Sequence, residues 1–190
     1  MRNLLRTVLV GMRLLGALAL LVLVLPAVAD DAADRAALDI LFAQLRIAPN
    51  AEAATAIDQQ IWARWTKPSD PTLALRMNEI MIARSMGRFP TAIGLLDKLV
   101  TDYPSYAEGW NQRATLYFMM GDFEHSIADC GKVLALEPRH FGALSGRALM
   151  YLQLGKRALA LRDMAAALAV HPFLSEAKLF PELSRPMTHV

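Results

Sequence analysis

The sequence predicts an all-α protein, an α-solenoid in which helical hairpins of similar length stack one after another. Two residue types recur in step at a constant spacing, and their positions are Gly87, Gly121 and Gly155 together with Pro104, Pro138 and Pro172. A period of about 34 residues is typical of helix–turn–helix units, which stack because a single unit cannot bury its apolar face alone. With 190 residues and 55% hydrophobic composition, the chain is long and apolar enough to bury a core.

Residues 1–29 have the pattern of a secretory signal peptide. Three arginines accompany the start of an unbroken apolar run from Leu14 to Leu25, and the small residues at 27–29 form a cleavage pattern. We therefore expect cleavage near Ala29 and a periplasmic or secreted protein.

The alternative is a segment that stays in the inner membrane as an anchor. A helix of the length of this apolar run spans about 18 Å, whereas the hydrocarbon core is roughly 30 Å thick. A longer span over residues 7–29 would be sufficient, but it contains Arg13 and Pro26. An arginine deep in a span costs about 2.5–3.5 kcal/mol. Membrane contact is thus expected only through this segment, before cleavage or if it is retained.

Charge and cysteine content narrow the possible partners. The chain has 20 basic and 18 acidic residues, and three of the arginines lie in the leader, so the mature chain has a net charge near −1. Because no basic stripe is present, we do not expect nucleic acid binding. A single cysteine, Cys130, excludes an intramolecular disulfide. We expect it to be a small buried residue, with a redox or dimer-forming role as the alternative.

Residues 30–70 are expected to form an N-terminal helical hairpin whose helices lie within residues 34–66. Pro49 ends the first helix and Asn50 can cap the second. The hairpin lacks the turn glycine, so we interpret it as a degenerate first repeat or as an N-terminal cap. The break at residues 67–71 separates it from the repeat units.

Three full units are expected over residues 73–172, namely 73–106, 107–140 and 141–172. In the first unit we expect helices from Leu73 to Met86 and from Phe89 to Thr101, joined at Gly87, where glycine permits a positive φ. Residues 173–190 should contain a C-terminal capping helix, Phe173 to Phe180, stopped by Pro181 and succeeded by a tail.

At their fixed points these units resemble the tetratricopeptide repeat family, and the exported bacterial type in particular. The second unit carries the pattern most fully, with Trp110, Ala114, Tyr117, Gly121, Phe123 and Pro138. The third unit matches at Ala148, Tyr151, Gly155, Ala160, Ala167 and Pro172, and the first at Gly87, Phe89, Ala92 and Pro104. The resemblance implies paired antiparallel helices that approach closely at the small residues.

Two of the units share an arginine and an aspartate at the same separation along the chain, Arg113 with Asp129 and Arg147 with Asp163. In a hairpin that turns at the glycine, each arginine should face the aspartate of the same unit. We therefore predict two structural ion pairs. The first unit has Glu79 and Leu95 at these positions and lacks the pair.

The resemblance also implies a concave groove lined by the first helices. The groove positions are Ala74, Met77, Met81, Arg84, Glu108, Asn111, Thr115, Phe118, Gly142, Ser145, Leu149 and Leu152. Methionines suit an adaptable apolar peptide surface, although some of them could simply fill gaps between helices. One family subtype clamps a terminal carboxylate. Its lysine, asparagine and arginine positions are occupied here by Met77, Met81, Gly142 and Gly146, which disfavours that ligand.

No catalytic residue, metal site or cofactor is predicted. The four histidines, His125, His140, His171 and His189, are scattered along the chain without an acidic cluster, so we expect solvated or helix-capping roles. Nucleophile-elbow, phosphate-loop and dinucleotide-binding motifs are missing from the sequence. We therefore expect a non-catalytic interaction scaffold or peptide-binding adaptor of the cell envelope. The alternative is a membrane-anchored assembly factor that organises an envelope complex.

Overall fold

The computed structural model describes residues 28–183, with side chains from residue 34 onward. Most of the predicted leader and the tail after residue 183 lie outside this range. Within it the chain folds entirely into helices, which confirms the predicted all-α class. The helices are α1 (Val28–Arg46), α2 (Ala51–Thr66), α3 (Pro71–Ser85), α4 (Phe89–Asp102), α5 (Ala107–Met119), α6 (Phe123–Leu136), α7 (Phe141–Gln153) and α8 (Arg157–Val170). No helix of residues 28–183 is both long and apolar enough to cross a membrane.

Side chains at the helix starts explain several of these bounds. The Asn50 side chain accepts a hydrogen bond from the Ala53 amide at 2.9 Å, as expected for the cap of α2. Asp70 caps α3 in the same way at 2.8 Å, and Pro71 occupies the first turn. Because Asp70 supplies this cap, α3 begins at Pro71 and not at the predicted Leu73.

The three turn glycines share one geometry. Gly87, Gly121 and Gly155 have φ values of 69°, 78° and 70°, a left-handed conformation that only glycine adopts without cost. After each glycine the next amide donates to the carbonyl five positions earlier, at 2.8–2.9 Å, in the pairs 88 to 83, 122 to 117 and 156 to 151. This is the Schellman arrangement that satisfies the last carbonyls of a helix, so the glycine period corresponds to a repeated helix end.

The core runs through the stacked units as successive clusters. One cluster joins α3 and α4 to Leu116 of α5. A second joins Ala114 of α5, Cys130 and Val133 of α6, and Met150 of α7. A third joins α7 and α8 to the C-terminal segment. Each unit therefore buries its apolar face against the next, as the repeat period predicts.

The N-terminal hairpin, α1 and α2, packs in a different place. Its buried apolar residues form a cluster with Phe141 at the start of α7, and Val170 and Leu174 pack against the same cluster. Residues of α3 are not part of it. The hairpin therefore does not continue the stack in front of α3 as a degenerate repeat would. It folds back onto the third unit, and this long-range closure was not predicted.

The C-terminal segment forms two 3₁₀ helices, Ser175–Leu179 and Pro181–Leu183, instead of one helix ended by Pro181. Leu174, Phe180 and Leu183 pack in the core of the third unit, and Phe180 is fully buried. Pro181 begins the second 3₁₀ helix, where its missing amide hydrogen and fixed φ are tolerated.

Candidate functional site

A cavity of about 450 Å³ lies against the face formed by α3, α5 and α7, which we call the groove face. Helix α2 and the first 3₁₀ helix supply further walls. The lining residues are Trp62, Thr66, Met81, Arg84, Asn111, Gln112, Ala114, Thr115, Phe118, Ser126, Cys130, Gly142, Ser145, Gly146, Leu149, Met150 and Glu176. The N-terminal hairpin thus narrows what would otherwise be an open groove into a cavity.

The structure places most of the predicted groove residues around this cavity. Those that line it are Met81, Arg84, Asn111, Thr115, Phe118, Gly142, Ser145 and Leu149. Four predicted residues, Ala74, Met77, Glu108 and Leu152, are not among the lining. Met77 is 1% exposed and packs in the core between α3 and α4. Leu152 packs against the core of the third unit, so both side chains serve to hold helices together.

Glu108 is the clearest correction, because it is 1% exposed and does not face a groove. Its carboxylate accepts hydrogen bonds from Asn111 Nδ2 at 3.1 Å and Gln112 Nε2 at 2.5 Å. His140 Nε2 lies 3.1 Å from the same carboxylate. With three partners the buried carboxylate is satisfied, and it orients the two amides that line the cavity.

His140 connects three parts of the chain. Its Nδ1 accepts from the Ala143 amide at 3.1 Å and so caps α7, as expected for this histidine. Nε2 therefore carries the hydrogen and donates to Glu108. The imidazole also stacks on Trp65 of α2, with centroids 4.0 Å apart and planes at 6°. The sequence did not reveal this burial, because the glutamate and the tryptophan both lie far from His140 along the chain.

Trp62 and Trp65 hold α2 against the groove face. A side chain on Gly142 would come within 2.8 Å of the Trp62 ring, so glycine is needed there for close approach. The Tyr106 hydroxyl donates to the Trp65 carbonyl, and Phe141 contacts both indole rings. The sequence signal for this contact is the pair of tryptophans about one helical turn apart in α2.

The two predicted arginine–aspartate pairs are present. Arg113 forms a bidentate pair with Asp129, with both distances 2.8 Å, and Arg147 Nε lies 2.5 Å from Asp163. The aspartates are almost fully buried, with side-chain exposure of 7% and 3%. The Asp129 carboxylate raises the pKa of the Arg113 guanidinium further above its ordinary value. These pairs lie within the units and outside the cavity, which agrees with a structural role.

The chemistry of the lining suits binding. Burial raises the pKa of the Cys130 thiol to about 12, so the sulfur stays protonated and behaves as an apolar group. The remaining lining combines apolar side chains with amides, hydroxyls and the charged side chains of Arg84 and Glu176. Among residues 34–183 no group of three potential metal ligands comes together. Such a surface can hold a ligand through shape and hydrogen bonds.

Comparisons with known proteins agree with this architecture. The family model described as tetratricopeptide repeat matches residues 107–140, the second unit. A TPR repeat-containing protein of Rhizobium etli is 37% identical over 135 residues, which are 71% of this chain. The match spans 66% of that relative, just under two thirds of its length.

Two solved structures share the fold. The first TPR domain of Spaghetti (RPAP3), bound to the HSP90 peptide SRMEEVD, superposes with a TM-score of 0.55 at 22% identity. That match covers 58% of this chain and 89% of the other. A tetratricopeptide repeat protein from Parabacteroides merdae gives a TM-score of 0.54 at 22% identity, with 80% and 59% of the two chains covered. At these identities the likeness concerns the fold alone.

Proposed function

We propose that this chain, a member of the tetratricopeptide repeat family of protein-interaction scaffolds, is an exported, non-catalytic adaptor. It holds a short peptide segment of a partner protein in the cavity beside α2. The cavity is the observation that carries this proposal. Its volume of about 450 Å³ lies in the range of sites that hold compact ligands, roughly 300–1,000 Å³. It is suited to a few side chains, whereas an open groove would hold a long extended segment.

The lining supports a peptide as the ligand. Met81, Phe118 and Leu149 offer flexible or aromatic apolar contacts from three successive units. Asn111 and Ser145 add polar groups that can pair with a peptide backbone.

The Spaghetti TPR domain has an HSP90 peptide bound. We extend peptide binding to this chain with a ligand of different chemistry, because methionines and glycines, Met77, Met81, Gly142 and Gly146, occupy the positions of the carboxylate clamp.

The best test compares two neighbouring residues of α5. Phe118 lines the cavity, whereas Met119 is 51% exposed and lies outside it. In cells that produce the tagged protein, crosslinking should recover a partner with the wild type and with Met119→Glu, and Phe118→Glu should lose it. A denaturation curve for each variant shows that the fold is retained. Equal recovery with both variants would contradict a role for the cavity.

The envelope setting is part of the proposal and rests on residues 1–29. Of the described residues, cleavage after Ala29 would remove Val28 and Ala29, the first two residues of α1. N-terminal sequencing of the mature protein tests this, and a start at Asp30 is the expected result. An intact Met1 in the membrane fraction would instead favour the anchored assembly factor.

A further inference from the structure

Two charged side chains line the cavity, and they have opposite signs. Arg84 comes from α3 of the first unit, and Glu176 comes from the 3₁₀ helix after the third unit. Side chains of α5 and α7 also line the cavity. These helices lie between the two charged elements, because α4 packs on α5, α6 packs on α7, and the C-terminal segment packs on α7 and α8. The two charges thus enter the cavity from the two ends of the stack.

Arg84 differs from the other half-buried arginines of residues 34–183. Each of the others forms an ion pair with a carboxylate, and these are Arg76, Arg113, Arg139, Arg147 and Arg157. Arg84 instead donates to the neutral side-chain oxygen of Gln112 at 2.6 Å. Gln112 also donates to the Glu108 carboxylate at 2.5 Å, so that carboxylate is one amide removed from the guanidinium and forms no direct ion pair with it. A half-buried guanidinium with no carboxylate in direct contact favours an anionic ligand group.

The other end of the cavity carries negative charge. The Glu176 carboxylate accepts from the Ser175 hydroxyl at 3.2 Å, and among residues 34–183 it forms no ion pair with a lysine or arginine. His171 is near it, but burial lowers the pKa of this imidazole and keeps it neutral at pH 7. Glu176 therefore has its charge available to a ligand.

A second carboxyl group, outside the cavity lining, is close enough to Glu176 to interact with its charge. Asp58 of α2 has its Oδ1 buried without a hydrogen bond. Burial raises the pKa of Asp58 and the Glu176 charge acts in the same direction, while the Trp62 indole opposes both. Glu176 and Trp62 both line the cavity, so a carboxylate and an aromatic ring are available to a cation there.

We propose that the cavity selects a short peptide segment of mixed charge, with a carboxylate directed to Arg84, a cationic group directed to Glu176, and apolar side chains between them. This inference rests on the proposed function, because it assumes that the cavity is the ligand site. Opposite charges at the two ends fix the direction of the bound segment. They also disfavour a segment with the same charge at both ends, because one of its ends would then face a cavity residue of like charge, either Arg84 or Glu176.

Four tetrapeptides, acetylated and amidated so that only side chains carry charge, test the inference by calorimetry. They share a central Leu-Leu and have the ends Glu and Lys, Glu and Glu, Lys and Lys, or Gln and Gln. The Glu/Lys peptide should bind about tenfold more tightly than the Gln/Gln peptide. The charges of the chain termini are the other source of the same chemistry. Because the carboxylate-clamp positions are occupied by methionines and glycines, unmodified Gly-Leu-Leu-Gly should bind no more tightly than its acetylated and amidated form. Tighter binding of the unmodified form would contradict side chains as the source of the charges.

Charge reversal should change the preference. Arg84→Glu should favour the Lys/Lys peptide, and Glu176→Lys should favour the Glu/Glu peptide. Arg84→Gln and Glu176→Gln should each reduce the preference for Glu/Lys without reversing it. Arg88→Glu is the matched control, because this arginine is exposed and does not line the cavity.

The outcomes separate this inference from the proposed function. If all peptides bind equally and Phe118→Glu abolishes their binding, the charge selection is wrong and the peptide site stands. If none of the peptides binds, the inference is wrong. The crosslinking comparison of Phe118→Glu with Met119→Glu then decides the proposed function independently.

Discussion

In the second and third repeat units, a buried aspartate on one helix forms an ion pair with an arginine on the other helix. In the N-terminal hairpin, the ion pair between α1 and α2 is the exposed pair Arg64–Asp34, at 3.3 Å. The repeat hairpins are also held by small residues at the helix contact, such as Ala148 and Ala160, both fully buried. The N-terminal hairpin instead attaches by tryptophans to a unit that lies far away in sequence. Its ion pair Asp39–Arg139 joins residues 100 positions apart.

This difference separates local from long-range organisation. Within a unit, the helix pairing depends on a short pattern that recurs along the chain. The closure of the hairpin depends on aromatic surfaces outside that pattern. The packing of this hairpin also shapes the cavity, because α2 supplies Trp62 and Thr66 to its lining. The units therefore supply the scaffold, and the hairpin decides how much of the groove face is open.

The largest effect is expected from Trp65→Ala, which breaks the hairpin contact. Trp65 is 7% exposed and stacks on His140, and truncation of a buried tryptophan costs about 3–5 kcal/mol. Urea denaturation should show this loss. Ile47→Ala is the control, because Ile47 is 77% exposed and should change stability by less than about 0.5 kcal/mol. A cost below about 1 kcal/mol for Trp65→Ala would show that the closure does not depend on this contact.

A smaller effect is expected inside a unit. Asp129→Asn removes the buried partner of Arg113 and should cost about 2–3 kcal/mol, because the half-buried guanidinium loses its bidentate carboxylate. The loss should change little with added salt. Asp97, the other partner of Arg113, has a side chain that is 53% exposed. Asp97→Asn should therefore cost at most about 1 kcal/mol. Equal losses in the two variants would contradict the ranking by burial.

The same contrast explains how much could be predicted from the sequence. The fold, the three turns and the two ion pairs were predicted from residues at fixed intervals, because each depends on contacts within one unit. The groove residues were predicted in part. Glu108 occupies a groove position, yet the buried side chain of His140, at the end of the same unit, meets it from the start of α7. The groove pattern describes positions on single helices, so it does not predict that His140 packs against Glu108.

The cavity itself could not be predicted for a related reason. Trp62, Thr66 and Glu176 come from the two segments that lack the repeat pattern. Their position depends on where the hairpin and the C-terminal 3₁₀ helices pack.

Two glycines of the second unit should respond in opposite directions to the same change. Gly121 has φ of 78°, so Gly121→Ala should cost about 1–2 kcal/mol through backbone strain. Gly131 lies inside α6, and an added Cβ there would meet nothing within 4 Å. Gly131→Ala should therefore stabilise the protein by about 0.5–1 kcal/mol. Thermal denaturation of both variants checks the signs, and a stabilising Gly121→Ala would contradict the assigned turn.

The smallest effect is expected from Asp58→Asn and should depend on pH. The pKa of Asp58 is raised from 3.8 in the folded state, mainly by burial, so the folded protein binds this proton more tightly than the unfolded chain does. Stability from this group is full below pH 3.8 and is lost as the pH rises through the folded-state pKa.

Asparagine cannot ionise, so the variant should gain up to about 1 kcal/mol near neutral pH and show no gain below pH 3.8. Urea denaturation across this pH range measures the difference, with Glu79→Gln as an exposed control that should show no such dependence. A constant gain at every pH would mean that Asp58 is destabilising for a reason other than its charge. A loss at neutral pH would mean that the Trp62 indole stabilises the Asp58 carboxylate by more than burial destabilises it.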